Sequence, residues 1–248
     1  MLILGGRNIR GLAFDLEGTI INLEPVHHHA HLSIAKSVGL VLPELDQIGK
    51  IVTLLPHFIG GPREAIAQEI FELSNKKVSV ADLVAADLAA YNQLLQDWTD
   101  FRPRDGFSDF LDEVFRQKDL TVAIGSLTPR GEARTVLKKS GLLDLINPNR
   151  IILREDVDKL KPHPDVFLTT AERMKIHPSE QLVFEDSPKG IAAAVAAGSL
   201  AIGMPIYDNE IVWKQLRDAG ALTIFKNWNG VSLQNLTLNE GSSFKRRI

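Results

Sequence analysis

The sequence FDLEGTI at positions 14–20 decides how the rest of the chain is interpreted. It ends an apolar run over 9–14, which predicts a buried strand followed by a polar loop. Because residues two apart in an extended chain point the same way, Asp15 and Glu17 should face one point beyond the strand. Gly18 lets the backbone turn sharply there. Open α/β sheets bind their ligands at this end of the strands.

The same motif also fits an ordinary acidic turn after a strand, so alone it leaves both interpretations open. Two close carboxylates repel each other. A functional pair would therefore need a bound cation or a shared proton.

The composition is that of a globular protein, with 248 residues, 44% of them apolar, and enough length for one large or two small domains. The net charge of -3 argues against a nucleic-acid partner. With no cysteine, disulfides, thiol catalysis and thiolate zinc sites are excluded. The start lacks the features of a signal peptide, and no apolar run approaches the roughly 18 residues of a membrane span. We expect a cytoplasmic monomer with no membrane partner.

The sequence from 23 to 99 predicts a small all-helical domain. A helix over 26–39 is framed by Pro25 and Gly39, helical spacing continues over 42–55 and 62–74, and Ser79 should cap a helix over 80–98. No strand pattern interrupts this block. It is therefore predicted as an insertion, with hinges near 22–24 and 100–103.

From Phe101 onward, strands and helices alternate, which predicts βαβ units and a parallel sheet. Strands are expected over 120–124, 150–153, 181–184, 200–203 and 222–225, and helices over 107–117, 130–140, 164–174, 189–197 and 211–219. The last twenty or so residues show little pattern, and Lys245-Arg246-Arg247 is expected to be a solvated tail. The fold class is thus α/β, with a core formed by 1–22 and 100–248.

Four polar clusters fall at strand ends in this α/β part, as a single site at one edge of a parallel sheet requires. They are Asp15 with Glu17, Ser126 with Thr128, Lys161, and Glu185-Asp186-Ser187. Their oxygens suit Mg²⁺, and the hydroxyls and the ammonium suit a phosphate. Taken singly, Lys161 could be a surface lysine and 185–187 could be a helix N-terminal cap.

Together these segments resemble the haloacid dehalogenase superfamily, specifically its β-phosphoglucomutase-like group with a helical cap. The resemblance is carried in order by D-x-E-G-T at 15–19, the strand ending at Ser126, K-P-x-P-D-x-F at 161–167 and F-E-D-S-x-x-G at 184–190. It covers the chain from about 10 to about 225. It implies a Rossmann-like core with an inserted cap, Mg²⁺ as cofactor and a small phosphorylated metabolite as substrate.

The resemblance also implies residue roles. Asp15 matches the nucleophile that forms an aspartyl-phosphate, and Glu17 matches the general acid/base. Ser126 and the backbone N–H of Leu127 match the phosphate-binding motif, and Lys161 matches the lysine that neutralises phosphate and nucleophile.

The metal site implied by the resemblance uses Asp15, the backbone carbonyl of Glu17, and the acidic pair Glu185 and Asp186. Closure of the cap would exclude all water except the attacking molecule.

In the cap, the resemblance singles out His27, near the hinge, and Arg63, at a position that can meet the substrate. Arginine suits a distal phosphate or sugar hydroxyls, while a solvated arginine at a helix start is the alternative. His27 and His31 share a helix face and suggest a metal site, although no clear third ligand accompanies them.

Glu17 departs from the family pattern, which usually has Asp at this position. A displacement of about an angstrom in a catalytic group can cost roughly a hundredfold in rate. The enolase-phosphatase branch of the superfamily also carries Glu here. The expected function is a Mg²⁺-dependent sugar-phosphate phosphatase. The alternatives are a β-phosphoglucomutase-type mutase and a ligand-binding protein with weak catalysis.

Overall fold

The computed structural model describes residues 1–74 and 78–238. The tail predicted at 245–247 lies outside them. The described residues form two compact units: an α/β unit of Met1–Asn22, Arg102–Ile206 and 213–238, and a helical unit of Leu23–Phe101 with Tyr207–Val212. Within the described ranges, no helix is both long and apolar enough to cross a bilayer.

The α/β unit is built on a six-stranded sheet in the order β5-β4-β3-β6-β7-β8, with every pairing parallel. The strands are β3 (Gly11–Phe14), β4 (Thr121–Gly125), β5 (Ile151–Ile152), β6 (Gln181–Glu185), β7 (Leu200–Gly203) and β8 (Thr223–Ile224). The predicted α/β class with a parallel sheet is confirmed. The central strand β3 is buried along its length and pairs with β4 on one side and β6 on the other, so three candidate strand ends are neighbours.

Helices connect these strands. They are α5 (Phe107–Phe115), α6 (Arg130–Lys139), α7 (Leu142–Leu145), α8 (Asp165–Met174), α9 (Pro188–Ala196) and α10 (Glu210–Asp218). A further helix, α11 (Leu233–Leu238), follows β8. Gly141 follows α6 with φ +77°, as a glycine after a helix end commonly does. The short helices α7 and α11 were not predicted, and a 3₁₀ turn at Trp228–Gly230 lies in the stretch that showed little pattern.

An N-terminal hairpin was also not predicted. Strands β1 (Leu2–Leu4) and β2 (Arg7–Ile9) pair antiparallel in a separate two-stranded sheet. Gly5 and Gly6 join them with φ of +57° and +68°, the left-handed backbone that a tight two-residue hairpin turn requires. The apolar run at 9–14 is therefore divided between two sheets, with Arg10 at the break.

An aromatic cluster fills the core on one side of β3. The ring of Phe14 lies 5.1 Å from that of Phe184 on β6 and 5.8 Å from that of Trp228. Phe107 and Phe110 of α5 pack edge-on against Phe14. Phe14 and Phe184 directly precede Asp15 and Glu185, so this cluster supports the backbone from which those carboxylates project.

The helical unit contains α1 (Glu24–Ser37), α2 (Ile48–Leu54), α3 (Arg63–Leu73) and α4 (Val80–Asp97). Ser79 caps α4 as predicted, because its hydroxyl accepts from the backbone N–H of Asp82 and the Asp82 carboxylate accepts in return. The segment Tyr207–Val212 follows β7 in the chain but packs with these helices. The hydroxyl of Tyr207 lies 2.6 Å from Nδ1 of the buried His28.

Candidate active site

A buried ion cluster lies at the carboxyl end of β3. Nζ of Lys161 donates to Oδ1 of Asp15 at 2.5 Å and to Oε1 of Glu185 at 2.8 Å. A third, longer bond runs from the same nitrogen to the carbonyl of Gly125 at 3.2 Å. The Lys161 side chain is only 7% exposed and its ammonium lies 5.0 Å from the centre of the Phe167 ring. The interpretation of Lys161 as a solvated surface lysine is therefore wrong.

Burial and neighbouring charges shape the titration of this cluster. Burial raises the pKa of Asp15 to about 7, opposed by the Lys161 ammonium and assisted by the negative charges of Glu185 and Glu17. Burial alone would lower the pKa of Lys161, but the carboxylates of Asp15 and Glu185 outweigh it and raise that pKa above its ordinary value. Lys161 therefore stays a cation at any physiological pH.

Glu185 is held on both of its carboxylate oxygens. Oε1 accepts from Lys161, while Oε2 accepts from the backbone N–H of Ser187 at 2.7 Å and from its hydroxyl at 2.9 Å. A methyl group at Gly190 would lie 1.6 Å from Oε1, so only glycine leaves room for the carboxylate. The Ser187 hydroxyl also accepts from the backbone N–H of Gly190, so Ser187 is the N-cap of α9 as well.

Glu17 belongs to a second group, with the hydroxyls at the end of β4. The Thr128 hydroxyl donates to Oε1 of Glu17 at 2.9 Å and lies 2.9 Å from the hydroxyl of Ser126. The backbone N–H of Thr128 donates to the same Ser126 oxygen at 3.3 Å. Leu127 lies between them in sequence and packs its side chain against the core. Thr128, which was noted beside Ser126, is thus the direct link to Glu17.

Asp186 lies against the loop that carries Asp15. Its Oδ1 accepts from the hydroxyl of Thr19 at 2.8 Å. Gly18 has φ +86°, and a methyl group there would approach Oδ2 of Asp186 to 2.3 Å. Gly18 is therefore required both for the turn and for the close approach of this carboxylate. Thr19 was quoted in the motif without a role, and its contact with Asp186 spans 167 residues of sequence.

Two further side chains that were not predicted hold the same loop. Arg104 donates to the carbonyls of Gly18 and Met204, both at 2.7 Å. The indole N–H of the buried Trp228 donates to the carbonyl of Thr19 at 3.0 Å. Neither residue belongs to a motif, so no local signal marked them.

The candidate residues of the helical unit lie in a separate polar network. Nε of Arg63 donates to Oδ2 of Asp87 at 2.5 Å, and Nδ1 of His31 donates to Oδ1 of Asp87 at 2.6 Å. The ring of His27 stacks on that of Tyr91, with 4.3 Å between centroids. The structure thus brings Arg63 and His31 together on a carboxylate that the sequence did not single out.

The metal that the motif implies needs a set of oxygen ligands. Across residues 1–74 and 78–238, no group of three or more His, Asp or Glu side chains has the arrangement of a metal site. The histidines of α1 have separate partners, since Nε2 of His28 lies 2.8 Å from Oε2 of Glu24 and His31 bonds Asp87. Asp15 and Asp186, by contrast, come directly after the paired strands β3 and β6. Two carboxylates completed by carbonyl and water oxygens suit the coordination of Mg²⁺.

Comparison with known proteins agrees with this fold. Residues 12–204 match the family model described as haloacid dehalogenase-like hydrolase, and the chain belongs to that family. It is 31% identical over 194 residues to the validoxylamine A 7′-phosphate phosphatase of Streptomyces hygroscopicus subsp. limoneus, covering 77% of this chain and 83% of the relative.

A second relative is the fructose-1-phosphate phosphatase of Escherichia coli, which is 32% identical over 192 residues, covering 77% of this chain and 94% of that protein. Among solved structures, a haloacid dehalogenase-like protein of unknown function from Agrobacterium tumefaciens superimposes with a TM-score of 0.76 at 22% identity. That alignment covers 90% of this chain and 96% of the other. This likeness to a solved structure shows the fold alone.

Proposed function

We propose that the protein is a Mg²⁺-dependent phosphatase that hydrolyses a small phosphorylated sugar through an aspartyl-phosphate on Asp15. The observation that carries the proposal is the buried Asp15–Lys161–Glu185 cluster at the end of the central strand. A ligand-binding protein has no need to bury a carboxylate and an ammonium in contact where a phosphate would arrive. The two relatives are both phosphatases of phosphate esters, which supports the same class of activity for this protein.

In the first step, an Asp15 carboxylate oxygen attacks phosphorus as the ester P–O bond breaks, and the sugar leaves as its alcohol with a proton from Glu17. In the second step, water attacks the aspartyl-phosphate. The P–O bond to Asp15 breaks, and Glu17 accepts the proton of the water. The nucleophile must be ionised for this chemistry, and Lys161 favours that form.

The hydroxyl of Ser126 and the backbone N–H of Leu127 would hold the transferred phosphoryl oxygens beside Lys161. Thr128 joins this group to Glu17, so the acid/base and the phosphate-binding residues share one hydrogen-bond network. The extra methylene of Glu17 can therefore be accommodated by an anchor that positions its carboxylate.

Asp15, Asp186 and the backbone carbonyl of Glu17 would hold Mg²⁺, which when bound supplies positive charge to neutralise the phosphate. Glu185 was also predicted as a ligand, and that remains a prediction. Because both its oxygens accept bonds from Lys161 and Ser187, we assign it the positioning of Lys161. His27 and Arg63 are proposed to contact the sugar. A monomeric state and the absence of a nucleic-acid partner remain predictions.

The test is phosphate release from p-nitrophenyl phosphate and fructose 1-phosphate by the purified protein with Mg²⁺. We expect turnover of both, and loss of at least a thousandfold in Asp15→Asn, which removes the nucleophile. Asp112→Asn, an exposed change on α5, is the matched control and should behave as the unmodified protein.

Full activity of Asp15→Asn would refute the assignment of the nucleophile. Conversion of a sugar phosphate into its isomer without release of inorganic phosphate would identify a mutase. Absence of turnover of any phosphate ester would leave only a binding function.

A further inference from the structure

The K-P-x-P-D-x-F segment at 161–167 contains two side chains, Asp165 and Phe167, that take no part in the proposed reaction. Both belong to the first turn of α8. Lys161 lies just before this helix, in a loop of residues 159–164 that we call the lysine loop. The loop, the helix and the buried ion cluster all belong to the α/β unit, so their contacts lie within one compact body.

The lysine loop buries little except its lysine. Lys159, Leu160 and Pro162 are exposed, whereas only 7% of the Lys161 side chain is accessible. Burial of apolar surface therefore contributes little to the shape of this loop. Hydrogen bonds contribute instead, and one of them runs within the loop, where the backbone N–H of His163 donates to the carbonyl of Leu160 at 2.9 Å.

Asp165 closes the lysine loop on itself. Its Oδ2 accepts from the backbone N–H of Lys159 at 2.9 Å, and its Oδ1 lies 2.6 Å from Nδ1 of His163. One carboxylate thus contacts the loop both before and after Lys161. The Lys159 N–H holds the pKa of Asp165 below its ordinary value, with His163 assisting. Asp165 is therefore an anion at neutral pH, and an ionised acceptor forms stronger hydrogen bonds than a neutral one.

Phe167 supports the same lysine from the apolar side. Its ring is wholly buried, and the Lys161 ammonium lies over it, 5.0 Å from its centre. The face of an aromatic ring attracts a cation. Because Asp165 and Phe167 share one turn of α8, the helix fixes both the shape of the loop and the surface against which the ammonium rests.

We propose that Asp165 is a positioning residue for Lys161, which holds the lysine loop in the shape that places Nζ between Asp15 and Glu185. The inference rests on the proposed function, because the position of Lys161 affects turnover only if phosphate is transferred to Asp15. Asp165 acts through the backbone of the loop. An acidic residue in the first turn of a helix also stabilises that helix, and this role alone would change stability without changing turnover by the folded protein.

Turnover of p-nitrophenyl phosphate with Mg²⁺, measured on protein shown by circular dichroism to be folded, separates the two roles. Asp165→Ala should lower kcat about ten- to a hundredfold, because a displacement of about an angstrom can cost roughly a hundredfold. In a Lys161→Met background the same change should alter kcat by less than about twofold, because no ammonium remains to be displaced. Asp165→Asn keeps an oxygen that can accept from Lys159 and should recover most of the lost rate. Glu172→Ala, which removes an exposed carboxylate of the same helix, is the matched control and should leave kcat unchanged.

An unchanged kcat in folded Asp165→Ala protein would overturn the proposal. An equal loss in both backgrounds would overturn it as well, since Asp165 would then act independently of Lys161. If Asp165→Ala does not fold, His163→Ala replaces it, because that change removes one of the two loop contacts and leaves α8 intact. It should lower kcat severalfold, and an unchanged kcat there would also refute the proposal.

Failure of the proposed function is seen separately, as absence of phosphate release by the unmodified protein. Urea unfolding in EDTA then tests the positioning of Lys161 without turnover. Asp165→Ala should lower the unfolding midpoint more in the unmodified protein than in the Lys161→Met protein, because only the former has ammonium contacts to lose. Equal shifts in the two proteins would show that Asp165 does not position Lys161.

Discussion

Replacing Lys161 with Met tests the ion cluster most directly. The change keeps the length and apolar stem of the side chain but leaves Asp15 and Glu185 facing each other, both buried and without a counter-ion. Breaking a buried ion pair costs about 3–5 kcal/mol, because the remaining charge is uncompensated. Since Lys161 serves two carboxylates, we expect the loss in free energy of unfolding to lie within that range at pH 9.

The loss in free energy of unfolding should depend on pH, and the pKa of Asp15 sets the direction of that dependence. The pKa of Asp15 is already raised to about 7, and removing Lys161 takes away the charge that opposes this rise, so it moves higher. An acid with a raised pKa destabilises the folded state fully above that pKa. The penalty disappears as the pH falls and the carboxyl binds its proton. Each further unit of rise in this pKa corresponds to about 1.4 kcal/mol, so the destabilisation should be smaller at pH 6 than at pH 9 by roughly that amount per unit.

Urea unfolding of the metal-free protein in EDTA, at pH 6 and at pH 9, measures the destabilisation caused by Lys161→Met. Lys159→Met is the control, because Lys159 is exposed in the same loop and the change keeps the bond from its backbone N–H to Asp165. A Lys161→Met protein as stable as the control at pH 9 would refute the reasoning, as would a destabilisation that grows as the pH falls.

Three further predictions concern the metal, the acid/base and a glycine. EDTA should abolish phosphate release and Mg²⁺ should restore it; activity that survives exhaustive chelation would contradict the metal requirement. Glu17→Gln should lower kcat on the order of a hundredfold or more, the usual contribution of a general acid/base, while Glu17→Asp should stay within about tenfold. Unchanged turnover in Glu17→Gln would exclude Glu17 as the acid/base. Gly190→Ala should lower both Tm and activity, because its methyl group would displace the Glu185 carboxylate. Gly131→Ala is the control: a methyl group there meets nothing within 4 Å, and the change should stabilise α6 by up to about 1 kcal/mol. A fully active Gly190→Ala protein would show that Glu185 can be displaced without consequence.

The parts of the fold and site that could be predicted are those encoded by local sequence. Alternating strands and helices place successive carboxyl ends on one sheet edge, so Asp15, Lys161 and Glu185 could be expected to meet although they lie far apart in sequence. Strand ends and helix caps each depend on a few neighbouring residues, as Ser79 shows. That dependence is why element type was predicted well and most boundaries shifted by only a residue or two. The exception is α2, which begins at Ile48 although helical spacing was predicted from 42.

The rest depends on contacts that leave no local pattern. From the sequence, Asp87 is an ordinary polar residue of a helix. Its structural role comes from bonds to Arg63 and His31, which lie 24 and 56 residues away. The segment Tyr207–Val212 reads as a loop after a strand, yet it packs with the helical unit. The hairpin around Gly5 and Gly6 is too short to show a period.

The bond from Trp228 to Thr19 has a consequence for how the enzyme is made. The loop that carries Asp15, the proposed nucleophile, takes one of its supports from residue 228, beyond the 12–204 that the family model matches. The ribosome synthesises the first strands long before Trp228. During synthesis, the loop of Asp15 therefore lacks the hydrogen bond from the Trp228 indole to Thr19. A chain released before residue 228 would contain the proposed catalytic side chains and still lack the Trp228 ring that packs against Phe14. Completion of synthesis, rather than appearance of the motif, would then mark the point at which this loop is fully supported.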